Sequence, residues 1–234
     1  MSSFTNRLHE REQKLEQISR DVVTDAVASG ADECKIFISG AEGISASSLD
    51  GEVENVSYHK DNGMSIVVLK DHCRGVASTN DLSEKALHEA VVSAINIAGY
   101  ADRDPYSGLC DKEELCTEFP DLKLMFDNEI SAEAGVDFAV ELDRMASEQC
   151  SDPRIKKTDG ASFSNFFVTN VLATSNGFCK ASSRSSVMAD LTLLGESGGK
   201  MQRGSGYSLE VKLDRIYPKE KIIREAYENT VMKL

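Results

Sequence analysis

Hydrophobic residues recur at helical spacing in four stretches of this chain, with charged residues between them. The first predicted helix covers about 7–29 and ends at Gly30, which can take the left-handed conformation that closes a helix. Two more helices are predicted at 82–98 and 131–149, and a fourth begins with Pro218 in its first turn, where the missing amide costs nothing. The apolar positions that define these faces include Leu8, Leu15, Ile18, Val22, Ala26, Leu87, Val91, Ala94, Phe138, Leu142, Met145, Ile222, Ala226 and Val231.

Short apolar runs between the helices predict strands, and glycine-containing pairs predict the turns between them. Asp50-Gly51 and Asn62-Gly63 are strong hairpin signals, because both pairs tolerate the positive φ angles of a two-residue turn. Ile66 to Leu69 is apolar at consecutive positions, which predicts a central strand covered on both faces. Further strands are predicted at 34–38, 44–49, 73–78, 155–157, 163–175, 178–184, 187–194 and 201–211, with a polar tip at Lys70-Asp71 and turns at Asp159-Gly160, Asn176-Gly177 and Gly198-Gly199.

The two halves of the chain repeat one order of elements. Each half reads helix, several strands, helix, and 126 positions separate Gly51 from Gly177 in the two matching turns. We therefore predict an α+β fold of two pseudo-repeated helix/antiparallel-meander/helix units, with a layered sheet that carries its helices on one face. The units are placed at 1–104 and 131–234, joined by an acidic connector at 105–130 that packs against the sheet or carries a short helical piece.

The charge and hydropathy of the chain argue against nucleic-acid binding, a membrane span and export. The 234 residues carry a formal net charge of -13, which disfavours the phosphate contacts that supply most nucleic-acid affinity. The longest aliphatic run is Ile66 to Leu69, and the N-terminal residues have no apolar core of the signal-peptide type, so neither a membrane span nor export is indicated. Six cysteines without such a signal predict reduced thiols in the cytoplasm.

Several runs of this sequence carry a family resemblance. GEVENVSYHKDNGMSIVVL is followed by GVASTNDLS and by a helix that ends in INIAGYADRDPYSG, and the second half contains DPRIKKTDGASFS and an SNGF turn. These runs closely resemble the PmbA (TldE) branch of the TldD/PmbA family, whose members are often labelled modulators of DNA gyrase. The resemblance extends from about Leu15 to the C-terminus and corresponds to the N-terminal half of such a protein, without the C-terminal domain. The sequence leaves open whether the native chain continues past Leu234.

The resemblance implies a role in a two-subunit peptidase. In this family a TldD-type subunit carries the zinc-binding helix and the catalytic site. The PmbA-type subunit is similar in fold, lacks that motif, and completes a heterodimer that encloses a chamber for unfolded peptides, with a homodimer as the other arrangement. Associated roles are proteolysis in microcin maturation and antitoxin degradation. We therefore expect the N-terminal domain of a non-catalytic subunit, with no cofactor in this chain and zinc in the TldD-type partner.

His88 and Glu89 in the second predicted helix invite a metal-site interpretation that the spacing does not support. The position that would hold the second histidine of the TldD-type zinc helix is Ser93 in this chain. Adjacent helical residues point about 100° apart, and a catalytic zinc takes three protein ligands. We expect a solvated helix flank at His88. Two other pairs, His72-Cys73 and Cys110/Cys116, also lack the spacing of a metal or redox site.

The strand after Asp50-Gly51 contains the polar cluster with a candidate binding role. Glu52, Glu54 and Asn55 are candidates for lining a peptide path or an interface, and a plain solvated strand is the competing interpretation.

No residue is predicted to be catalytic. The serine run 182–186 reads as a solvent-facing strand edge, and the glycine-rich run 195–206 as a long flexible hairpin. The alternative function is a stand-alone binding module whose sheet edge captures extended peptide by strand addition.

Overall fold

The computed structural model describes residues 3–234, apart from the side chains of Ser3 and Thr5. The order of elements is helix, three strands, helix, and then the same again. This confirms the predicted α+β class. The helices are α1 (Ser3–Ala28), α2 (Glu84–Ala98), α3 (Ala132–Gln149) and α4 (Lys219–Val231), and the strands are β1 (Glu33–Leu49), β2 (Glu52–Lys70), β3 (Cys73–Thr79), β4 (Ile155–Thr174), β5 (Cys179–Ser197) and β6 (Lys200–Glu210).

One six-stranded antiparallel sheet contains all of these strands. Its order is β3-β2-β1-β4-β5-β6, so each half of the chain contributes three adjacent strands and β1 pairs with β4 at the centre. The outer strands are shorter than their neighbours. On one side β3 pairs with β2 only over Met64–Lys70, and on the other β6 pairs with β5 only over Val187–Ser197. The first part of β2 and the first part of β5 therefore extend beyond the outer strands.

Contacts divide the described chain into two compact units, each with its own hydrophobic core. Unit 1 contains residues up to Ala41, 60–122 and 168–183, and α1 and α2 cover its strands. Unit 2 contains 42–59, 123–167 and 184–234, and its core joins α3 and α4 to β4 and β5. The sequence-based division at 1–104 and 131–234 stays a prediction. Of the helices in residues 3–234, none combines the length and hydropathy that a membrane crossing requires.

Alternating burial along the strands explains where the helices pack. In β5 every second residue from Ser185 to Gly195 is buried, and the residues between them are half-buried. The buried face meets α3 and α4 in unit 2, and the equivalent face in unit 1 meets α1 and α2. This is the period-two pattern of an antiparallel sheet whose two faces have different environments.

Glycine in each outer strand lets a helix pack directly on the sheet backbone. A Cβ on Gly75 of β3 would collide with the Ala94 carbonyl oxygen and lie 2.6 Å from the Ala98 nitrogen of α2. A Cβ on Gly206 of β6 would collide with the Ile222 carbonyl oxygen of α4 in the same way. The close helix-to-strand approach therefore occurs in both halves of the repeat.

Several predicted turns lie inside continuous strands. Asn62-Gly63 was predicted to be a hairpin turn, but neither residue has a positive φ and β2 runs through both. Asp159-Gly160 is likewise part of β4, although Gly160 has a φ of 105°. A pair that tolerates a turn does not require one when neighbouring strands pair with its backbone. The predicted breaks between 34–38 and 44–49, between 155–157 and 163–175, and between 178–184 and 187–194 are wrong for the same reason.

The observed turns use left-handed residues. Asp50 and Gly51 have φ angles of 54° and 75°, which confirms the first predicted hairpin turn. The glycine pair 198–199 also turns as predicted, with φ angles of 58° and 75°. Its flanking residues pair regularly up to Ser197 and Lys200, which confirms the predicted hairpin at 195–206 and shows that its turn is tight. The turn after Lys70 consists of Asp71 and His72, both with positive φ, one residue later than the predicted polar tip.

Local capping sets the start of α2 and α3. The N-cap of α2 is Ser83, whose Oγ accepts a hydrogen bond from the Ala86 amide. Asp81 accepts a hydrogen bond from the Ser83 amide at 2.8 Å. In α3 the Ser131 hydroxyl caps in the same way. The connector contains the short 3-10 helix Lys112–Glu114, in agreement with the predicted helical piece.

Candidate functional site

The hairpin between β1 and β2 brings the three predicted site residues onto one exposed strand. Glu52, Glu54 and Asn55 are all exposed at the start of β2. Glu54 accepts a hydrogen bond from the Ser47 hydroxyl at 3.0 Å, and the Asn55 side-chain amide donates to Ser57 Oγ at 3.1 Å. Their role in binding stays a prediction. The arrangement presents two carboxylates and an amide along one strand.

The same strand has an open edge, which we define as the side of residues 52–59 that does not face β1. The chain leaves the sheet after Thr79 and enters α2, so β3 ends opposite Met64. In the part of the chain that the structure describes, no strand pairs with this side of 52–59. Unpaired strand edges bind other extended chains readily, and most proteins cover or charge them. Among the described residues, this edge carries charged side chains and no strand covers it.

Exposed apolar side chains accompany the open edge. Val53, Val56 and Tyr58 are 51%, 45% and 63% exposed, although each is a large hydrophobic residue on a strand. The Tyr58 hydroxyl donates to Glu42 Oε1 at 2.6 Å, which fixes the ring against the neighbouring strand. Apolar side chains beside unpaired backbone are typical of a surface that another chain covers.

A buried carboxylate anchors this hairpin to α3. Asp143 is fully buried, and its Oδ2 accepts hydrogen bonds from the Ser48 hydroxyl at 2.9 Å and from the Gly51 amide at 2.8 Å. The Arg144 guanidinium donates to the Gly51 carbonyl at 2.9 Å. The turn at Asp50-Gly51 is therefore held by two consecutive residues of one helix. Sequence reasoning missed Asp143, although its position one helical turn after Ala139, on the apolar face of α3, was an available signal.

A cleft of about 390 Å³ lies next to the open edge. Its walls include Tyr58 from β2, Ile44 from β1, and Phe167 and Asn165 from β4, with Glu42, Gly43, Glu129, Ile130 and Ser131 completing the lining. Asn165 is 97% buried and donates through its side-chain amide to the Asn128 carbonyl, but its Oδ1 accepts no hydrogen bond. A buried acceptor without a donor is costly in a folded protein. The cleft thus has apolar walls, and the unsatisfied Asn165 acceptor beside it is buried from solvent.

A second cleft, of about 520 Å³, lies between the end of α3 and α4 and contains a saturated ion pair. Asp152 accepts hydrogen bonds from the Arg154 guanidinium at 2.7 Å and the Tyr227 hydroxyl at 2.9 Å. The Arg154 side chain and amide, with Tyr227, lower the pKa of Asp152 well below its usual range. Burial and the Asp152 charge raise the pKa of the Cys150 thiol. This carboxylate is already fully engaged as an acceptor, and the thiol is a poor nucleophile.

The histidines and cysteines do not assemble a metal centre in the described residues. His88 lies 2.9 Å from an Asp25 carboxylate oxygen, His59 contacts the Ser45 hydroxyl, and His72 contacts the Ser107 carbonyl. Among residues 3–234 whose side chains are described, no group of three His, Cys, Asp or Glu could hold a metal ion. Burial raises the pKa of the Cys34 thiol to about 12, as expected for a small core residue. These residues do not fit a catalytic zinc, which takes three protein ligands.

The serine run 182–186 is solvent-facing only in part: Ser182 and Arg184 are exposed, as predicted, whereas Ser183 and Ser186 are half-buried and Ser185 is buried. Ser185 is buried, and its amide donates to the Leu124 carbonyl at 2.9 Å. In unit 1, the Ser183 hydroxyl donates to Glu12 of α1. In the described residues, the hydrogen-bond partners of the Ser183 and Ser185 hydroxyls are Glu12, Thr169 and backbone groups, without the histidine or lysine base that activates a nucleophilic serine. The serines instead connect the exposed beginning of β5 to neighbouring segments.

Two family models match most of the chain. Residues 34–98 match the PmbA/TldA metallopeptidase domain 1, and residues 127–234 match the PmbA/TldA metallopeptidase central domain. The metalloprotease PmbA of Escherichia coli O157:H7 is 28% identical over 225 residues, which are 96% of this chain and 50% of that protein. The PmbA homologue of Haemophilus influenzae is 29% identical over 91% of this chain and 46% of its own length. The chain therefore spans about half the length of these curated relatives.

Solved structures share the fold. TldE from Thermococcus kodakarensis superposes with a TM-score of 0.72 at 18% identity, over 92% of this chain and 47% of that one. A Bacteroides thetaiotaomicron protein that carries the family's DNA-gyrase-modulator name superposes with a TM-score of 0.78 at 20% identity, over 93% and 49% of the two chains.

Proposed function

Because the chain belongs to the PmbA/TldA metallopeptidase family, we propose that it is the N-terminal region of a PmbA/TldE-type subunit that performs no hydrolysis itself. One observation carries the proposal: both family domains occur here in chain order, while the chain spans about half of its curated relatives. The paired histidine at His88 and the saturated carboxylate at Asp152 support a binding role rather than a catalytic one.

In this proposal the chain forms part of the wall of a peptide chamber, together with a TldD-type subunit. Zinc in that partner would supply the activated water for hydrolysis. The residues of this chain would bind and orient unfolded peptide, with the β1–β2 hairpin held in place by Asp143. The processes we propose for such a complex are cytoplasmic proteolysis, including microcin maturation and antitoxin degradation. The net charge of -13 argues against direct contact with DNA, whatever the gyrase-modulator name implies.

Co-purification tests this proposal. The tagged chain is expressed with the TldD-type subunit of the same organism, and the complex is isolated by affinity and size-exclusion chromatography. We expect a one-to-one complex whose cleavage of an unfolded peptide is abolished by a chelator. His88→Ala in this chain should leave that cleavage unchanged. Purification of the chain without the subunit would contradict the proposal. Cleavage by the isolated chain would also contradict it, if a chelator inhibits that cleavage and His88→Ala removes it.

A second candidate function is a binding module that works without a catalytic partner. The open edge of residues 52–59 favours it, because strand addition needs only exposed backbone donors and acceptors. The two candidates differ in stoichiometry. A module of this kind binds peptide as the isolated chain and shows no one-to-one association with a TldD-type subunit.

A further inference from the structure

The geometry of the β1–β2 turn determines which backbone groups face outward at the open edge. A two-residue turn at Asp50-Gly51 is closed by a pair that exchanges both hydrogen bonds, here Leu49 and Glu52. Glu52 and Glu54 therefore direct their N–H and C=O groups toward β1. Val53 and Asn55 direct theirs to the opposite side, where no strand pairs with them within the described chain. The open edge thus presents a regular series of donors and acceptors.

The other half of the repeat shows what covers such an edge. With the 126-residue offset between matching turns, residues 52–59 correspond to the beginning of β5, which likewise extends beyond its outer strand. There the Ala181 amide donates to Glu16 of α1 at 2.8 Å. Farther along β5, the Ser185 amide donates to the connector carbonyl of Leu124 at 2.9 Å. A helix side chain and an extended segment therefore cover the equivalent edge, while within the described chain no strand pairs with the outward groups of Val53 and Asn55.

Charge selects the occupant of the open edge. Glu52 and Glu54 lie on β2 with their side chains exposed, and the chain as a whole carries a net charge of -13. A second copy of this chain would bring the same excess of negative charge to the edge, and like charges repel. An extended peptide with lysine or arginine at alternating positions places cations beside both carboxylates. Its apolar residues would lie on the opposite face of the strand and cover Val53.

We propose that the open edge binds an extended basic peptide as an added strand, with the cleft beside Tyr58 receiving one of its side chains. The peptide backbone pairs with the outward groups of Val53 and Asn55, and its cations lie beside Glu52 and Glu54. This inference specifies the class of peptide that the open edge binds, and it rests only on the strand-binding function given above as the second candidate. Binding is measured on this chain by itself, so a failed co-purification does not affect it.

The first experiment measures binding of a fluorescein-labelled decapeptide of alternating lysine and valine by fluorescence anisotropy at low salt. A decapeptide of alternating glutamate and valine is the matched probe. We expect saturable binding of the basic peptide and none of the acidic one. Glu52→Gln combined with Glu54→Gln should weaken binding about threefold to tenfold, since exposed ion pairs contribute little each. Glu148→Gln at an exposed site of α3 is the charge control and should leave binding unchanged.

The second experiment separates strand addition from charge attraction. Asn55→Pro removes one outward N–H while keeping the net charge, and an edge strand tolerates proline when that N–H faces solvent. Asn55→Ala removes the same side chain but keeps the N–H. We expect Asn55→Pro to abolish binding of the basic peptide and Asn55→Ala to preserve it, with circular dichroism confirming the fold of both. Equal binding by the two variants would overturn the proposal, because it indicates adsorption to an acidic surface.

Hydrogen exchange on the unmodified chain provides a readout that does not depend on a variant. Addition of the basic peptide should slow amide exchange at Val53 and Asn55 and leave the amides of α4 unchanged. Unchanged exchange at both residues would overturn the proposal.

Analytical ultracentrifugation gives a further test. If the chain self-associates in the absence of peptide, and Asn55→Pro abolishes that self-association, a second copy of the chain occupies the open edge. This result would also overturn the proposal of a basic peptide.

Discussion

At the scale of single residues, buried polar groups determine where the candidate site is held. Asp143 connects α3 to the β1–β2 turn through Ser48 and Gly51, while its other oxygen, Oδ1, has no hydrogen-bond partner. Asn165 contributes the unsatisfied acceptor in the wall of the cleft. The satisfied oxygen of Asp143 favours this arrangement, because release of the hairpin would leave the Ser48 and Gly51 donors without their acceptor, whereas each acceptor without a donor costs stability.

Replacement of Asp143 by alanine should destabilise the fold and release the hairpin. The change leaves the Ser48 hydroxyl and the Gly51 amide without their acceptor in a buried site, and we expect a loss of roughly 2–4 kcal/mol in the free energy of unfolding. Urea denaturation measures it. Asp137→Ala on the exposed side of the same helix is the control and should change stability by less than about 0.5 kcal/mol. Equal effects of the two substitutions would contradict the anchoring role.

Asp152 should make stability depend on pH in the acid range. Hydrogen bonds from Arg154 and Tyr227 lower its pKa in the folded state, whereas an unfolded aspartate has a pKa of about 3.9. The stabilisation is therefore present above about pH 4 and lost as the pH falls below it. Urea denaturation at several pH values should show the stability difference between the unmodified chain and Asp152→Asn shrinking with acidification. Tyr227→Phe should partially reduce the dependence of stability on pH. A stability difference between the unmodified chain and Asp152→Asn that does not change with pH would contradict this role of Asp152.

At the scale of elements, the helices followed from sequence periodicity while the strands did not. Helix boundaries depend on capping side chains such as Ser83 and Ser131, which act locally. Strand lengths depend on neighbours that are distant in sequence. β2 continues through Asn62-Gly63, and β5 continues through 184–186, because pairing and burial in the sheet outweigh local turn propensity.

Glycine at the helix-facing side of an outer strand should be essential for packing of the second helix. Gly75→Ala would force α2 away from β3, because the added methyl group collides with the Ala94 carbonyl oxygen. We expect a loss of roughly 2–4 kcal/mol in the free energy of unfolding, measured by thermal or urea denaturation. Gly108→Ala makes the same chemical change where the nearest atom lies 3.6 Å away, and it should be nearly neutral. Equal stability of the two variants would contradict this packing.

At the scale of the whole molecule, the repeat is regular in its element order and unequal in its edges. The sheet order β3-β2-β1-β4-β5-β6 places equivalent strands symmetrically about its centre. Yet α1 and the connector supply partners to the beginning of β5, whereas in the described residues no strand pairs with the outward side of Val53 and Asn55. This difference is the basis of the proposed peptide site. The acidic character of the chain then favours a basic occupant.

The sequence by itself determined the α+β class, the four helices, the repeated order of elements and the family, because these depend on local periodicity and on motifs that contiguous residues carry. It also identified Glu52, Glu54 and Asn55 as a polar cluster. Only the tertiary structure decided that this cluster lies on an open edge. Whether a strand edge is paired depends on where β3 ends and on which distant segments reach the sheet. The burial of Asp143 and Asn165 is equally non-local, since partners more than thirty positions away create it.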